Sequence, residues 1–181
     1  MALSQKYHLV DKVYTITNGY DKDDLKKVEC KEFDHFAIIV AGSLMPPLRT
    51  LSPLLKVLKS LANLPSPAKE WRFHYLGPNP DLAQKEIAEF GLENKSSIHG
   101  NLPRKDALSF IKGASLNVVL SVNKEEPTLE EQGVIPGKIY ELIGLGAKIL
   151  PIVAKGSGVE IIMRDVGIQS FAPNQTNEIL E

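Results

Sequence analysis

At 181 residues the chain has the length of one α/β domain with a real core, and its net charge of −1, with the signs mixed, excludes a basic footprint for nucleic acid or an anionic membrane surface. The single cysteine, Cys30, excludes an internal disulfide framework and fits a reducing compartment. No apolar run reaches spanning length and the N-terminus lacks a signal-peptide core, so a cytoplasmic location is expected.

Residues 1–35 carry only a small strand, Lys12–Ile16, and the turn Thr17-Asn-Gly-Tyr-Asp21. Phe36–Gly42 is a short apolar run ending in glycine, as expected of a strand buried on both faces. Leucines at 48, 51, 54, 55, 58 and 61 form a helical stripe over Leu48–Leu64 that stops at Pro65. Trp71–Gly77 reads as the second strand, with Gly77-Pro78 as its turn, and Asp81–Phe90 as a helix capped by Gly91. A short strand, Ser97–Gly100, a helix, Arg104–Lys112, and a strand, Leu116–Val122, follow. Ser121–Pro136 is long, charged and irregular, which suits a mobile ligand loop. A helix over Lys138–Leu145, a strand over Lys148–Val153, a helix over Gly158–Val166 and a last short strand, Ile168–Ala172, complete the alternation. Thr176–Glu181 starts like a capped helix and stops, and both ends look cut from a longer protein.

Strands separated by single helices run parallel through right-handed crossovers, so the expectation is a doubly wound, Rossmann-like α/β fold: a mostly parallel, six-stranded sheet between two helical layers. Such sheets bind ligands outside the carboxyl ends of their strands. The loops placed there are Gly42–Arg49, Gly77–Asn79, Gly100–Arg104 and Ser121–Pro136. The most informative stretch is Gly133–Ile152, where Pro136 and Gly137 open a helix, Lys138 and Glu141 share one of its faces, and Gly144 and Gly146 close it. A helix start carries unpaired N–H groups and partial positive charge, which attract phosphate. A carboxylate one turn deeper can accept hydrogen bonds from a ribose diol.

The pattern resembles the C-terminal, nucleotide-sugar donor domain of GT-B fold glycosyltransferases of the family-4 group. Val13–Asp21 is similar to that domain's opening "NG(V/Y)D" segment. Ile38-Ile-Val-Ala-Gly-Ser-Leu44, followed by Arg49 and a leucine-rich helix, resembles its first strand and basic residue. His99-Gly-Asn-Leu-Pro-Arg104 falls near its nucleobase loop. Pro136–Ile149, reading PGKIYE and then GLGAKIL, looks like its P-x-K-x-(Y/F)-E segment. The likeness covers nearly the whole chain.

The resemblance implies a retaining enzyme moving a hexosyl group from a UDP- or GDP-sugar to an acceptor sugar or glycan, as in polysaccharide biosynthesis. Gly42, Ser43, Arg49, Gly137, Lys138 and Ile139 would hold the donor diphosphate, and Glu141 the ribose. Gly77, Gly100, Asn101, Leu102 and Arg104 would border the nucleobase. Cationic side chains and a helix dipole would stabilise the charge of the departing diphosphate. No metal or other cofactor is implied; Asp21-Lys-Asp23 has the spacing of a metal motif but lies far in sequence from the donor loops. Catalytic residues are not assigned. Residues 1–181 would form one donor-binding domain, with 1–35 leading in from a missing N-terminal acceptor domain, without which the chain would be an inactive half. Peripheral membrane association would belong to the full-length protein. Two departures stand out. Gly133 occupies the place, eight residues before Glu141, where the family commonly has a sugar-gripping glutamate. Ser43 stands where the usual arginine follows the first-strand glycine.

Plainer readings stand beside these. Glu141 and Lys138 fit a solvated helix, Arg49 a salt bridge, and Gly42 and Gly100 simple turns. His74, centred in a strand, reads as a packing histidine, and His99 as a strand-end residue able to face the cleft. Other functions fit less well. The run after Gly42 is Ser43-Leu-Met-Pro, not the Gly-x-Gly-x-x-Gly of a dinucleotide fold. No acidic residue ends a central strand, as a phosphoryl-accepting receiver needs. A sugar-nucleotide epimerase of the same architecture is the nearest enzymatic alternative, and a non-catalytic nucleotide-binding module the next.

Overall fold

The computed structural model describes residues 14, 16–64 and 70–180. The described residues form eight α-helices and five strands: α1 (Lys22–Lys26), β1 (Phe36–Ala41), α2 (Ser52–Ala62), β2 (Trp71–Leu76), α3 (Pro80–Glu89), β3 (Ser96–Ile98), α4 (Arg104–Gly113), β4 (Leu116–Leu120), α5 (Leu129–Gln132), α6 (Lys138–Gly144), β5 (Ile149–Ile152), α7 (Gly158–Asp165) and α8 (Thr176–Leu180). A 3₁₀ turn, Glu93–Lys95, leads into β3. All strand pairs are parallel and the order is β3-β2-β1-β4-β5. The order reverses between β1 and β4, whose outgoing chains diverge and leave a crevice at their carboxyl ends.

The period of two along each strand divides the core between the faces. Ile38, Val40, Phe73, Tyr75, Val118 and Leu120 pack against α2 and α3 on one face. Val119 faces α4, α6 and α7 on the other, with Ile39 and Leu76 beside α4 through Ala107. Helices on both faces make the three layers that the alternation predicts.

Among the described residues the sheet has five strands, where the alternation predicts six. Ile168–Ala172 makes only an isolated bridge, Phe171 to Ile152, with N–H donation from Phe171 to Pro151 O at 2.9 Å and from Val153 to Phe171 O at 2.8 Å. The Leu48 helix begins four residues late, at Ser52, because Pro53 suits a first helical turn while Pro46 and Pro47 hold the preceding loop out of one. The strand expected over Lys12–Ile16 lies mostly outside the described residues; Tyr14 and Ile16 are exposed and in no strand. The long loop after β4 contains α5, whose start is a capping box between Thr128 and Glu131.

Candidate functional site

The strand exits are tied to one another by their own backbones. Gly42 leaves β1 at φ 150°, a conformation that side chains rarely tolerate, and its N–H donates to Leu76 O at 2.8 Å. Gly77 N–H donates to Gly100 O at 2.8 Å, and Tyr75 OH to Gly42 O at 2.9 Å. A Cβ at Gly77 would sit 2.2 Å from Gly42 O, so only glycine permits this approach. Loop side chains extend the lacing. Asn79 Oδ1 accepts from Leu44 N–H at 2.9 Å, and Asn123 donates its N–H to Leu48 O at 2.7 Å and its Nδ2 to Thr50 Oγ1 at 2.5 Å. Glu86 on α3 accepts from Leu51 N–H at 2.7 Å at the start of α2; burial pushes its carboxyl up while the N–H groups of Leu51 and Ser52 pull it down.

Below these exits lies a cavity of about 580 Å³. Ten of the twelve residues expected at the site line it: Gly42, Ser43 and Arg49 after β1, Gly77 after β2, Asn101, Leu102 and Arg104 after β3, and Gly137, Lys138 and Ile139 at the start of α6. Its walls are otherwise largely apolar, with Ile39, Ala107, Val119 and Leu142 among them. Gly100 and Glu141 are not in the lining, although each touches it through a neighbour.

The cavity's three cationic side chains are held differently. Arg49 is half-buried; its Nη1 donates to Ser43 O at 3.4 Å, and its buried Nε has no partner among the described residues. Burial holds its pKa below the usual range, but an arginine stays charged, so this cation is incompletely satisfied. Arg104 is engaged on two sides: Nη1 pairs with Asp24, while Nε at 3.0 Å and Nη2 at 2.9 Å both meet Glu141 Oε1. The bond to Asp24, followed by that to Glu141, pushes its pKa up. Lys138 Nζ lies 3.2 Å from Glu141 Oε2. With about two acceptor sites per carboxylate oxygen, Oε1 is full and Oε2 keeps one site for a further donor.

The start of α6 lines the cavity and has no side-chain cap; its Ile139 N–H donates to Pro136 O at 3.1 Å and its Tyr140 N–H to Gly137 O at 3.3 Å, which leaves the N–H groups of Gly137 and Lys138 without a backbone partner among the described residues. Asp21 has a structural job: its carboxylate caps α1 by accepting from Asp23 N–H at 2.9 Å and Asp24 N–H at 3.1 Å. Among the described residues no three His, Cys, Asp or Glu side chains converge as a metal site. Asp24, Asn79 and Asn123 join the site without having been singled out in the sequence. The only local signal for Asp24 was its place in the first turn after a capping aspartate.

No family model and no curated protein sequence matches this chain. Solved structures do. The lipopolysaccharide outer core galactosyltransferase WaaB matches with a TM-score of 0.60 at 14% identity, over 97% of this chain and 48% of WaaB. S. aureus TarM, solved with fondaparinux, α-GlcNAc-glycerol and UDP, matches with a TM-score of 0.55 at 18% identity, over 98% of this chain and 34% of TarM. A Listeria monocytogenes protein assigned as a UDP-N-acetylglucosamine 2-epimerase gives 0.58 at 14% identity, over 98% of this chain and 46% of that one. The chain therefore has the fold these GT-B proteins share, and it spans half or less of their length. No helix among the described residues is long and apolar enough to cross a membrane.

Proposed function

We propose that this chain is the nucleotide-sugar binding domain of a glycosyltransferase, taking a UDP- or GDP-sugar whose diphosphate sits in the cavity at the ends of β1 and β4. The observation that carries the reading is the gathering of Arg49, Arg104 and Lys138 around one cavity beside an uncapped helix start. A diphosphate carries the complementary charge, and desolvated cations and N–H groups stabilise it most as it becomes a leaving group. Arg49, the least satisfied of the three, meets the phosphates; the ribose hydroxyls donate to the free site on Glu141 Oε2; Gly77, Asn101 and Leu102 border the base. In this reading the counter-charge comes from Arg49, with Arg104 and Lys138 shared with Asp24 and Glu141, and not from a divalent metal. The glycosyl acceptor is presented by a second domain, and transfer proceeds with retention. The solved structures of this fold supply the transferase class, and TarM's bound UDP motivates the choice of probe.

Calorimetric titration with UDP and GDP tests this. Binding of one of them, undiminished by a metal chelator and weakened about tenfold or more by Arg49→Ala, is the expected result, since a charged hydrogen bond contributes ~1.5–3 kcal/mol. No heat with either at millimolar concentration, or binding indifferent to both Arg49→Ala and Glu141→Ala, would refute it. The second reading, a sugar-nucleotide epimerase, is favoured by the Listeria structure, and it also predicts UDP binding. Product analysis of the full-length protein with a UDP-sugar separates transfer from epimerisation.

A further inference from the structure

Three of the chain's four histidines form a row outside the cavity, on the part of the sheet that α4 leaves partly open. Asp34 Oδ1 lies 2.7 Å from His35 Nδ1, His35 Nε2 lies 2.8 Å from His74 Nε2, and His74 Nδ1 lies 3.0 Å from His99 Nε2. The rings meet edge to edge and lie nearly in one plane, with centroids 5.1 and 5.2 Å apart and planes within 19° and 23°. His74 is 4% exposed, and both its nitrogens are spent on other imidazoles.

A neutral imidazole has one N–H and one bare nitrogen, and this settles every tautomer. The Asp34 carboxylate accepts, so His35 carries its hydrogen on Nδ1 and its Nε2 is bare. His74 must then donate from Nε2, leaving its Nδ1 bare, and His99 must donate from Nε2, leaving its own Nδ1 bare. An added proton has one open acceptor in the row, Nδ1 of His99. Once it binds there, the Nε2 proton of His99 passes to His74 Nδ1, and the Nε2 proton of His74 passes to His35 Nε2. No ring rotates and one proton has been gained. The positive charge comes to rest on His35 beside Asp34, and His99 ends neutral with its hydrogen moved from Nε2 to Nδ1.

The surrounding charges favour that resting place. Lys31, Arg72, Glu32 and Glu70 face the row besides Asp34. Burial, then His99, His35, Arg72 and Lys31, push His74 down to about 4, and burial, then Lys31, push His99 down as well. Asp34 is held low chiefly by its bond to His35. His99 is followed directly by Gly100, whose carbonyl accepts from Gly77, and then by Asn101 and Leu102 in the cavity wall.

We infer that Asp34, His35, His74 and His99 are a proton relay that takes up one proton as a unit, and that the resulting tautomer of His99 couples pH to the loop Gly100–Arg104 at the cavity rim. The relay does not depend on the nucleotide reading, and its test needs no ligand. Imidazole ¹⁵N spectra of the whole chain across a pH titration should give the three rings one shared midpoint. On the acid side His99 Nε2 should become bare as its Nδ1 gains the proton. Independent histidines would instead leave both nitrogens of His99 protonated. The amide shifts of Asn101 and Leu102 should follow the same midpoint. Because His74 is buried, the variant is made at the outer end: His35→Gln removes the charge's resting place, so the His99 and Leu102 midpoints should move to lower pH. Separate midpoints in the wild type, a doubly protonated His99, or midpoints unmoved in His35→Gln would each overturn the relay. Failure of UDP to bind while the relay titrates as described would sink only the nucleotide reading.

Discussion

On one face of the sheet sixteen buried residues form a single cluster under α2 and α3, running from Ile38 through Phe73 and Tyr75 to Ile152. On the other face the buried residues fall into two groups, ten around α4, α6 and α7 and three at Ile39, Leu76 and Ala107. The cavity is lined mainly by members of both groups, Ile39, Leu76 and Ala107 from one and Ile111, Val119, Ile139 and Leu142 from the other, and is reached by the carboxyl-end members of the continuous cluster, Val40, Leu44, Val118 and Leu120; the histidine row borders the smallest group through Phe33 and Phe110. One face is continuous and apolar, and the chemistry sits where packing on the opposite face is interrupted. Stability and site are thereby separable at members of the continuous cluster that lie outside the cavity lining, such as Phe73.

The sharpest way to break that comparison is to damage the continuous face. Phe73 is fully buried there, and Phe73→Ala should cost about 3–5 kcal/mol in denaturant unfolding. The molecules still folded should keep their nucleotide affinity; a large loss of affinity would show that the two faces are not independent. Acidification attacks the interrupted face instead. His74 has a folded pKa depressed from 6.5 to about 4, so between these values the unfolded chain binds a proton that the folded chain rejects. Stability is complete above pH 6.5 and falls as pH drops towards 4, by roughly 3 kcal/mol from this residue. Unfolding curves at stepped pH measure it, and a flat profile over that range would contradict the burial of an uncharged His74.

The same contrast governs what could be read from sequence. The strands were legible as short apolar runs because helices cover both faces of the sheet, and α2 was legible because its one buried face imposes a leucine stripe with a period of nearly four. The cavity loops were legible because glycine at positions 42, 77 and 137 marks strand exits and a helix start. The missing sixth strand was not, since Ile168–Ala172 has strand composition but pairs only at Phe171, and pairing extent is a tertiary property. Helix α5 was hidden in a charged loop although Thr128-Leu-Glu-Glu131 spells its capping box. The histidine row needs the register that sets His74 opposite Ser97, and His99 two residues on. Nothing in the spacing of 35, 74 and 99 announces it, and reading His74 as a packing histidine captured its burial but not its partners. For Glu141 the helix position was readable, yet its engagement by Arg104 and Lys138 came only with coordinates.

Gly77→Ala should be intermediate, about 1–3 kcal/mol, because the added carbon meets the Gly42 carbonyl, which is backbone and cannot swing aside. Unlike Phe73→Ala it should also weaken nucleotide binding, since relief of the clash moves the β1 exit that forms the cavity wall.

The smallest effect is expected at Asp24. Its pair with Arg104 is about half exposed at each side chain, and exposed pairs contribute only ~0.2–1 kcal/mol. Asp24→Asn should therefore leave unfolding nearly unchanged. Its influence should fall on the site, because Arg104 then has Glu141 as its one carboxylate partner among the described residues. If Arg104 tightens on Glu141 Oε1, the ribose hydroxyls keep only the site on Oε2 and UDP affinity changes little. If Arg104 turns towards the diphosphate, Oε1 is released to the diol as well and affinity rises several-fold. A calorimetric titration of Asp24→Asn beside Glu141→Ala distinguishes the two: in the first case the variants act additively, and in the second the gain from Asp24→Asn vanishes when Glu141 is absent.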